Sequence, residues 1–238
     1  MEERRSILEY RYTENCIFKG SCPREKRVGC DPSCTIQPEF YYLLKTSNIP
    51  ERYENPKKLF PSDEDKKAFN VLADIRDDIE EFVKHGRTLY LWSREYGNGK
   101  TEMSIKLMKS YMATICVGNE FKDRCWFEFV PTFLLTAKNF EDRDNATKHI
   151  SALMKRDLCI LDDIGAVKTT EYDISVLTNI INTRYSNSMS TIYTSNLSPE
   201  EMQRINNRIA DRACTDIVIE LRGAGRRMRT STYERREL

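Results

Sequence analysis

The sequence predicts an α/β fold, a five-stranded parallel sheet flanked by helices, from three observations. Short apolar runs suited to strands alternate with helical segments. A glycine-rich run, Tyr96-Gly97-Asn98-Gly99-Lys100-Thr101, joins the first such strand to a helix, and a later strand ends in two adjacent carboxylates, Asp162 and Asp163. Alternation of this kind implies βαβ crossovers, and in open parallel sheets ligands gather at the carboxyl ends of the strands.

At 238 residues the chain has room for one sizeable α/β domain and a small appendage. Charged residues make up 32% with a net charge of +1, so any site for a polyanion has to be local. No apolar run approaches the ~18 to 20 residues of a membrane span. Met1-Glu2-Glu3-Arg4-Arg5 lacks the apolar core of a signal peptide, so a cytoplasmic protein with no membrane partner is expected. Eight cysteines in a reducing compartment point to metal or packing rather than to disulfides.

The first segment, residues 1–45, holds Cys16, Cys22, Cys30 and Cys34 with little apolar material to form a core. Four thiolates around Zn²⁺ would staple such a segment. Their spacing, C-x5-C-x7-C-x3-C, is not a pair of C-x2-C knuckles, so an Fe–S cluster and unliganded cysteines stay open beside zinc. Cys116, Cys125, Cys159 and Cys214 lie in apolar segments and are read as buried fillers. Residues 46–61, rich in Tyr, Lys, Pro and Asn, read as a linker, and residues 62–238 as the main domain.

Within that domain Phe69, Leu72, Ile75, Ile79 and Phe82 recur at helical steps, predicting a helix from Ser62 to about Lys84 that stops at Gly86. Strands are expected at residues 88–92, 125–130, 158–161, 191–195 and 217–221. Helices are expected at residues 100–116, 131–138, 145–156, 171–186 and 199–214, the last opened by a capping box of Ser198 and Glu201 with Pro199 at its first position.

The run from Tyr96 to Thr101 has the strand, loop and helix context of a phosphate cradle. Gly97 and Gly99, with Asn98 between them, let backbone N–H groups face a polyphosphate. Lys100 supplies charge for the β and γ phosphates, and Thr101 can hold Mg²⁺. Arg94 stands where the full phosphate-loop pattern has its first glycine. Asp162 would bind Mg²⁺ and Asp163 would orient the attacking water, its arm being shorter than a Glu, so slow hydrolysis is expected. Asn196 follows another strand end and can hold that water, or is an ordinary turn Asn before a capped helix. Arg208 and Arg212 share a helix face; spacing alone makes them surface charges, while a neighbouring subunit's phosphate would make one an arginine finger. The basic turn from Arg222 to Arg229 fits a phosphate partner, nucleotide or nucleic-acid backbone, or is a tail.

From about Ser62 onward the chain resembles the AAA+ ATPases of the DnaC/DnaI helicase-loader group, a family shared with the IstB transposition ATPases. The resemblance is carried by Gly97-Asn98-Gly99-Lys100-Thr101, Asp162-Asp163-Ile164-Gly165, Asn182-Thr183-Arg184-Tyr185, Thr194-Ser195-Asn196-Leu197-Ser198 and Asn207-Arg208-Ile209-Ala210-Asp211-Arg212. It implies an AAA+ phosphate-loop fold with ATP and Mg²⁺ as cofactors and weak ATPase activity. Asp162 and Asp163 would form the Walker B pair, Asn196 sensor 1, Arg212 the in-trans finger with Arg208 second, and Arg227 the sensor 2 arginine. It also implies a hexameric replicative helicase of the DnaB type bound through the amino-terminal region, single-stranded DNA held by the ATPase domain, and self-association through the finger. IstB-like transposition helpers and nucleotide-dependent regulators that barely hydrolyse ATP are the competing readings.

Overall fold

Five short, largely buried runs form the sheet: β1 (Thr88–Trp92), β2 (Cys125–Phe129), β3 (Leu158–Asp162), β4 (Ser190–Ser195) and β5 (Ile217–Glu220). They pair in the order β2-β3-β4-β1-β5, every pairing parallel. The computed structural model describes residues 18, 22, 34–54, 59–118, 122–139, 143–166 and 169–225. Its helices are α1 (Ile36–Thr46), α2 (Glu51–Glu54), α3 (Lys66–Asp77), α4 (Ile79–Lys84) and α5 (Lys100–Val117), then α6 (Val130–Lys138), α7 (Arg143–Lys155), α8 (Glu171–Ser186), α9 (Pro199–Ile205) and α10 (Asn207–Ala213).

Because successive strand residues face opposite ways, each strand feeds two cores. Leu89, Leu91, Ile160 and Ile192 pack under Phe40 and Leu43 of α1, Leu72 of α3 and Met108 of α5. Tyr90, Leu161 and Tyr193 face the other way, onto Phe133 of α6, Leu153 of α7, Ile180 of α8 and Ile209 of α10. The result is a three-layer α/β/α fold with the parallel sheet in the middle.

Three features depart from the sequence reading. Residues 36–46, of which 36–45 were counted there with the cysteine-rich region, form α1 and enter the first core through Phe40 and Leu43. Ser47 and Asn48, within the stretch at 46–61 read as a linker, are tied to the edge of the sheet. Phe127 N donates to Ser47 O (2.8 Å) and Asn48 Nδ2 donates to Phe127 O (2.9 Å). Strand β2 lies at the edge of the sheet, where its outward backbone groups need partners, and Ser47 and Asn48 supply them. Two long helices are also broken. The one expected over 62–84 splits at Asp78 (φ −117°, ψ 32°), and the one over 199–214 splits at Asn206 (φ −159°, ψ 112°). Asn206 Oδ1 accepts from Ile209 N at 3.0 Å and so caps the second piece, which an Asn in an extended conformation does well. The capping box of Ser198 and Glu201 forms as expected.

Arg184 is fully buried in α8 and is bonded to backbone rather than left as an isolated charge. Its Nη1 donates to Leu153 O (2.6 Å) and Arg156 O (2.9 Å) and its Nε to Thr191 Oγ1 (2.8 Å), with Nη2 on Ser190 O. One guanidinium thereby caps the carbonyl end of α7 and joins it to the start of β4, a favourable place for positive charge. Arg184→Leu strands these carbonyls, and we expect a loss on the order of 3 kcal/mol of unfolding free energy. The check is a urea titration, in which the midpoint should fall at unchanged slope.

Candidate functional site

The carboxyl ends of β1, β3 and β4 lie side by side, since Trp92 pairs with Ser195 and Leu161 with Tyr193. The loop that leaves β1 turns through Gly97 (φ 75°) and Gly99 (φ 105°) before α5 begins at Lys100. Both angles lie in the left-handed region that glycine reaches without strain. Arg94 does not share that conformation, so the backbone there makes no demand for glycine. Its guanidinium is instead 3.0 Å from Glu201 Oε1 at the start of α9.

Lys100 is buried, and its Nζ donates to Asn196 Oδ1 (2.8 Å) and Glu95 O (3.2 Å). Asn196 Nδ2 in turn donates to Asp163 Oδ1 at 3.0 Å. Beside this chain of contacts, Asp162 Oδ1 accepts from Thr101 Oγ1 (2.9 Å) and from Thr194 Oγ1 (2.7 Å). Asp163 N donates to that same Thr194 hydroxyl at 2.9 Å, and Asp163 takes φ 61°, a left-handed conformation that Asp tolerates better than most residues. Lys100, Thr101, Asp162, Asp163 and Asn196, drawn from three separate stretches of sequence, therefore meet at one edge of the sheet.

Asp162 is 5% exposed, and burial holds its carboxyl above the usual carboxylate range, against the hydroxyl bonds from Thr194 and Thr101 and the charge of Lys100. A hydroxyl beside a carboxylate, both oxygen donors, is a set that suits a hard cation such as Mg²⁺. The left-handed glycines and a lysine opposite suit a polyphosphate.

Sequence reasoning missed Thr194, which links both acids. A buried hydroxyl at the penultimate position of an otherwise covered strand was the available signal. It also missed Asp65. This buried carboxylate accepts from Arg222 N (2.7 Å) and Gly223 N (3.0 Å), fastening the segment after β5 to the start of α3. That segment runs close to the phosphate loop, because a Cβ on Gly225 would come within 2.1 Å of Tyr96 O. Arg227 lies outside the described residues.

The remaining candidates belong to other elements. Arg208 lines a groove between α8 and α10 with Asn179, Asn182, Asn206 and Asn207. Arg212 sits at the opposite end of the sheet. Asp216, four residues on, accepts from Thr88 N (2.7 Å) at the start of β1, whereas the phosphate loop leaves β1 at Trp92. Strand rise alone puts about 13 Å between those ends. Of the four cysteines read as zinc ligands, Cys22 and Cys34 pack against the first apolar core, while Cys16 and Cys30 lie outside the described residues. Among the described residues no group of three or more His, Cys, Asp or Glu is disposed to hold a metal ion, so the zinc reading gains no site here. No helix among the described residues is long and apolar enough to cross a membrane.

A folded carboxyl pKa above the unfolded value means that ionised Asp162 costs stability at neutral pH, a cost relieved as pH falls through the folded pKa. Asp162→Asn keeps an oxygen for both hydroxyls without the buried charge. We expect its thermal midpoint without nucleotide, read by calorimetry at pH 7, to equal or exceed that of the native chain.

Residues 60–220 match the family model described as IstB-like ATP binding protein. The uncharacterized protein YqaM of Bacillus subtilis (strain 168) is 22% identical over 206 residues, which is 80% of this chain and 62% of YqaM. The chain thus spans less than two thirds of the length of that curated relative. The crystal structure of the DnaC helicase loader superposes with a TM-score of 0.54 at 21% identity, over 73% of this chain and 99% of that one. That of DnaI superposes with a TM-score of 0.55 at 21% identity, over 76% and 95%. At such identities the two structures speak for the fold.

Proposed function

The chain belongs to the family of IstB-like ATP-binding proteins, an AAA+ phosphate-loop fold, and from that footing we propose an ATP-dependent loader of a hexameric, DnaB-type replicative helicase onto single-stranded DNA. The observation that carries the nucleotide part is the contact of Lys100 with Asn196 and of Asn196 with Asp163, beside the pair of Thr101 and Asp162.

In this reading the amides of Gly97, Asn98, Gly99 and Lys100 hold the triphosphate, and Lys100 leaves Asn196 to take the β and γ phosphates. Bound Mg²⁺ would neutralise phosphate charge, with Thr101 and Asp162 as its protein ligands. Asn196, released from Lys100, holds the attacking water against the γ-phosphate, and Asp163, already its hydrogen-bond partner, draws the proton from that water. Arg212 cannot reach its own chain's phosphate across the sheet, so it acts on a neighbour's, and turnover depends on assembly. Asp163 has a shorter arm than a glutamate, which fits slow hydrolysis by an ATPase used as a timer. Arg227 is proposed to face the nucleotide, since the chain reaches Gly225 directly beside Tyr96.

Likeness to DnaC and DnaI over most of their lengths supports the helicase as partner. The family match itself favours a second reading, an IstB-like helper that presents duplex DNA to a transposase. Retention of a hexameric replicative helicase on the immobilised chain separates the two. The loader reading expects retention that changes between ATP and ADP, and no retention under any nucleotide condition, with ATP-dependent filaments on duplex DNA instead, would turn the assignment to the helper. Lys100→Ala is expected to abolish the rise in thermal midpoint that Mg²⁺-ATP gives the native chain, while the unliganded midpoint shifts by no more than a few degrees.

A further inference from the structure

Arg212 does not project freely. Its guanidinium carbon lies 4.3 Å from the centre of the Tyr185 ring, and its Nη1 is 2.6 Å from Asp211 Oδ2. Resting on the in-trans reading of Arg212 above, we propose that Tyr185 is the positioning residue of that arginine, a flat platform that holds the guanidinium in the plane and direction in which it meets the phosphate of a second copy of this chain.

Three observations and one general property carry this. Tyr185 is 42% exposed and belongs to neither apolar core, so its ring is not there to fill the interior. Its hydroxyl makes no hydrogen bond among the described residues, which leaves the ring face as the part in use. The neighbouring Arg184 is pinned to carbonyls of Leu153, Arg156 and Ser190, so the backbone that carries the platform is rigid. Finally, a tyrosine has two side-chain torsions to order, and guanidinium planes stack on aromatic faces where ammonium groups do not lie flat.

Asp211 completes the device. It is adjacent to Arg212 and 67% exposed at its side chain, and an exposed pair of this kind contributes little stability. It stands in the position of an anion that a more highly charged phosphate displaces, while the stack on Tyr185 stays. The arginine is thereby ordered before the second copy arrives, and less torsional freedom is lost on contact. The two residues of the Arg184-Tyr185 pair thus divide the labour: one fastens the end of α8, the other presents Arg212 upon it.

The test measures ATP turnover against protein concentration for the full chain, together with nucleotide affinity and thermal midpoint. An exposed to partly desolvated cation–π contact corresponds to roughly 2-fold to 30-fold in rate. Tyr185→Leu should lower the concentration-dependent turnover by a factor in that range, with nucleotide affinity and midpoint unchanged, and Tyr185→Phe should restore it. Arg212→Lys should behave like Tyr185→Leu, and Tyr185→Leu added to Arg212→Ala should cost nothing further. If the native chain shows no concentration-dependent turnover, or Arg212→Ala retains it, the in-trans reading itself falls. If Arg212→Ala loses it but Tyr185→Leu keeps it, or Tyr185→Phe is as defective as Tyr185→Leu, the role given to Tyr185 is overturned and the in-trans reading survives.

Discussion

A parallel sheet delivers the carboxyl ends of its strands to one edge, and at that edge this chain holds a carboxylate almost shut off from water. Asp162 gathers hydroxyls from α5 and β4 onto a single oxygen, and through Thr194 it fixes the backbone of Asp163 as well. Burying an ionised group is unfavourable unless its bonds are made. The loop after β1, the end of β3 and the end of β4 are therefore held in one register by the need to satisfy it. Without that constraint the phosphate loop and the twin acids would be two unrelated surface features.

The same sheet separates what it cannot unite. Lys100 and Asn196 occupy the carboxyl edge, and Arg212 lies just before the amino end of β5, beyond the reach of its own phosphate loop. A single chain therefore keeps the two groups at opposite ends of the sheet. In the proposed loader, copies stacked so that one edge faces the next would bring the two together, and turnover would then depend on assembly.

Much of this was legible in the sequence, and the limits have physical causes. The strands were readable because burial on both faces leaves only apolar side chains, as in Leu158-Cys159-Ile160-Leu161. The phosphate loop was readable because glycine conformations and a lysine must occur at fixed spacing. Helix breaks at Asp78 and Asn206 were not, since neither residue interrupts the apolar period and only the packing of neighbours decides where the backbone turns. Nor was α1, whose Phe40 and Leu43 share a core with buried residues of α5 more than sixty positions away. Thr194 and Asp65 act through long-range bonds that no local pattern announces. Spacing alone left Arg208 and Arg212 alike, and the resemblance that ranked them did not foretell the contact of Arg212 with the Tyr185 ring.

The most direct test of the account is a crystal structure with Mg²⁺ and a non-hydrolysable ATP analogue. It should show the phosphates against the amides of Gly97 to Thr101, Lys100 moved from Asn196 to the phosphates, and the metal beside Thr101 and Asp162. A nucleotide bound elsewhere on the chain, with Lys100 still on Asn196, would contradict it.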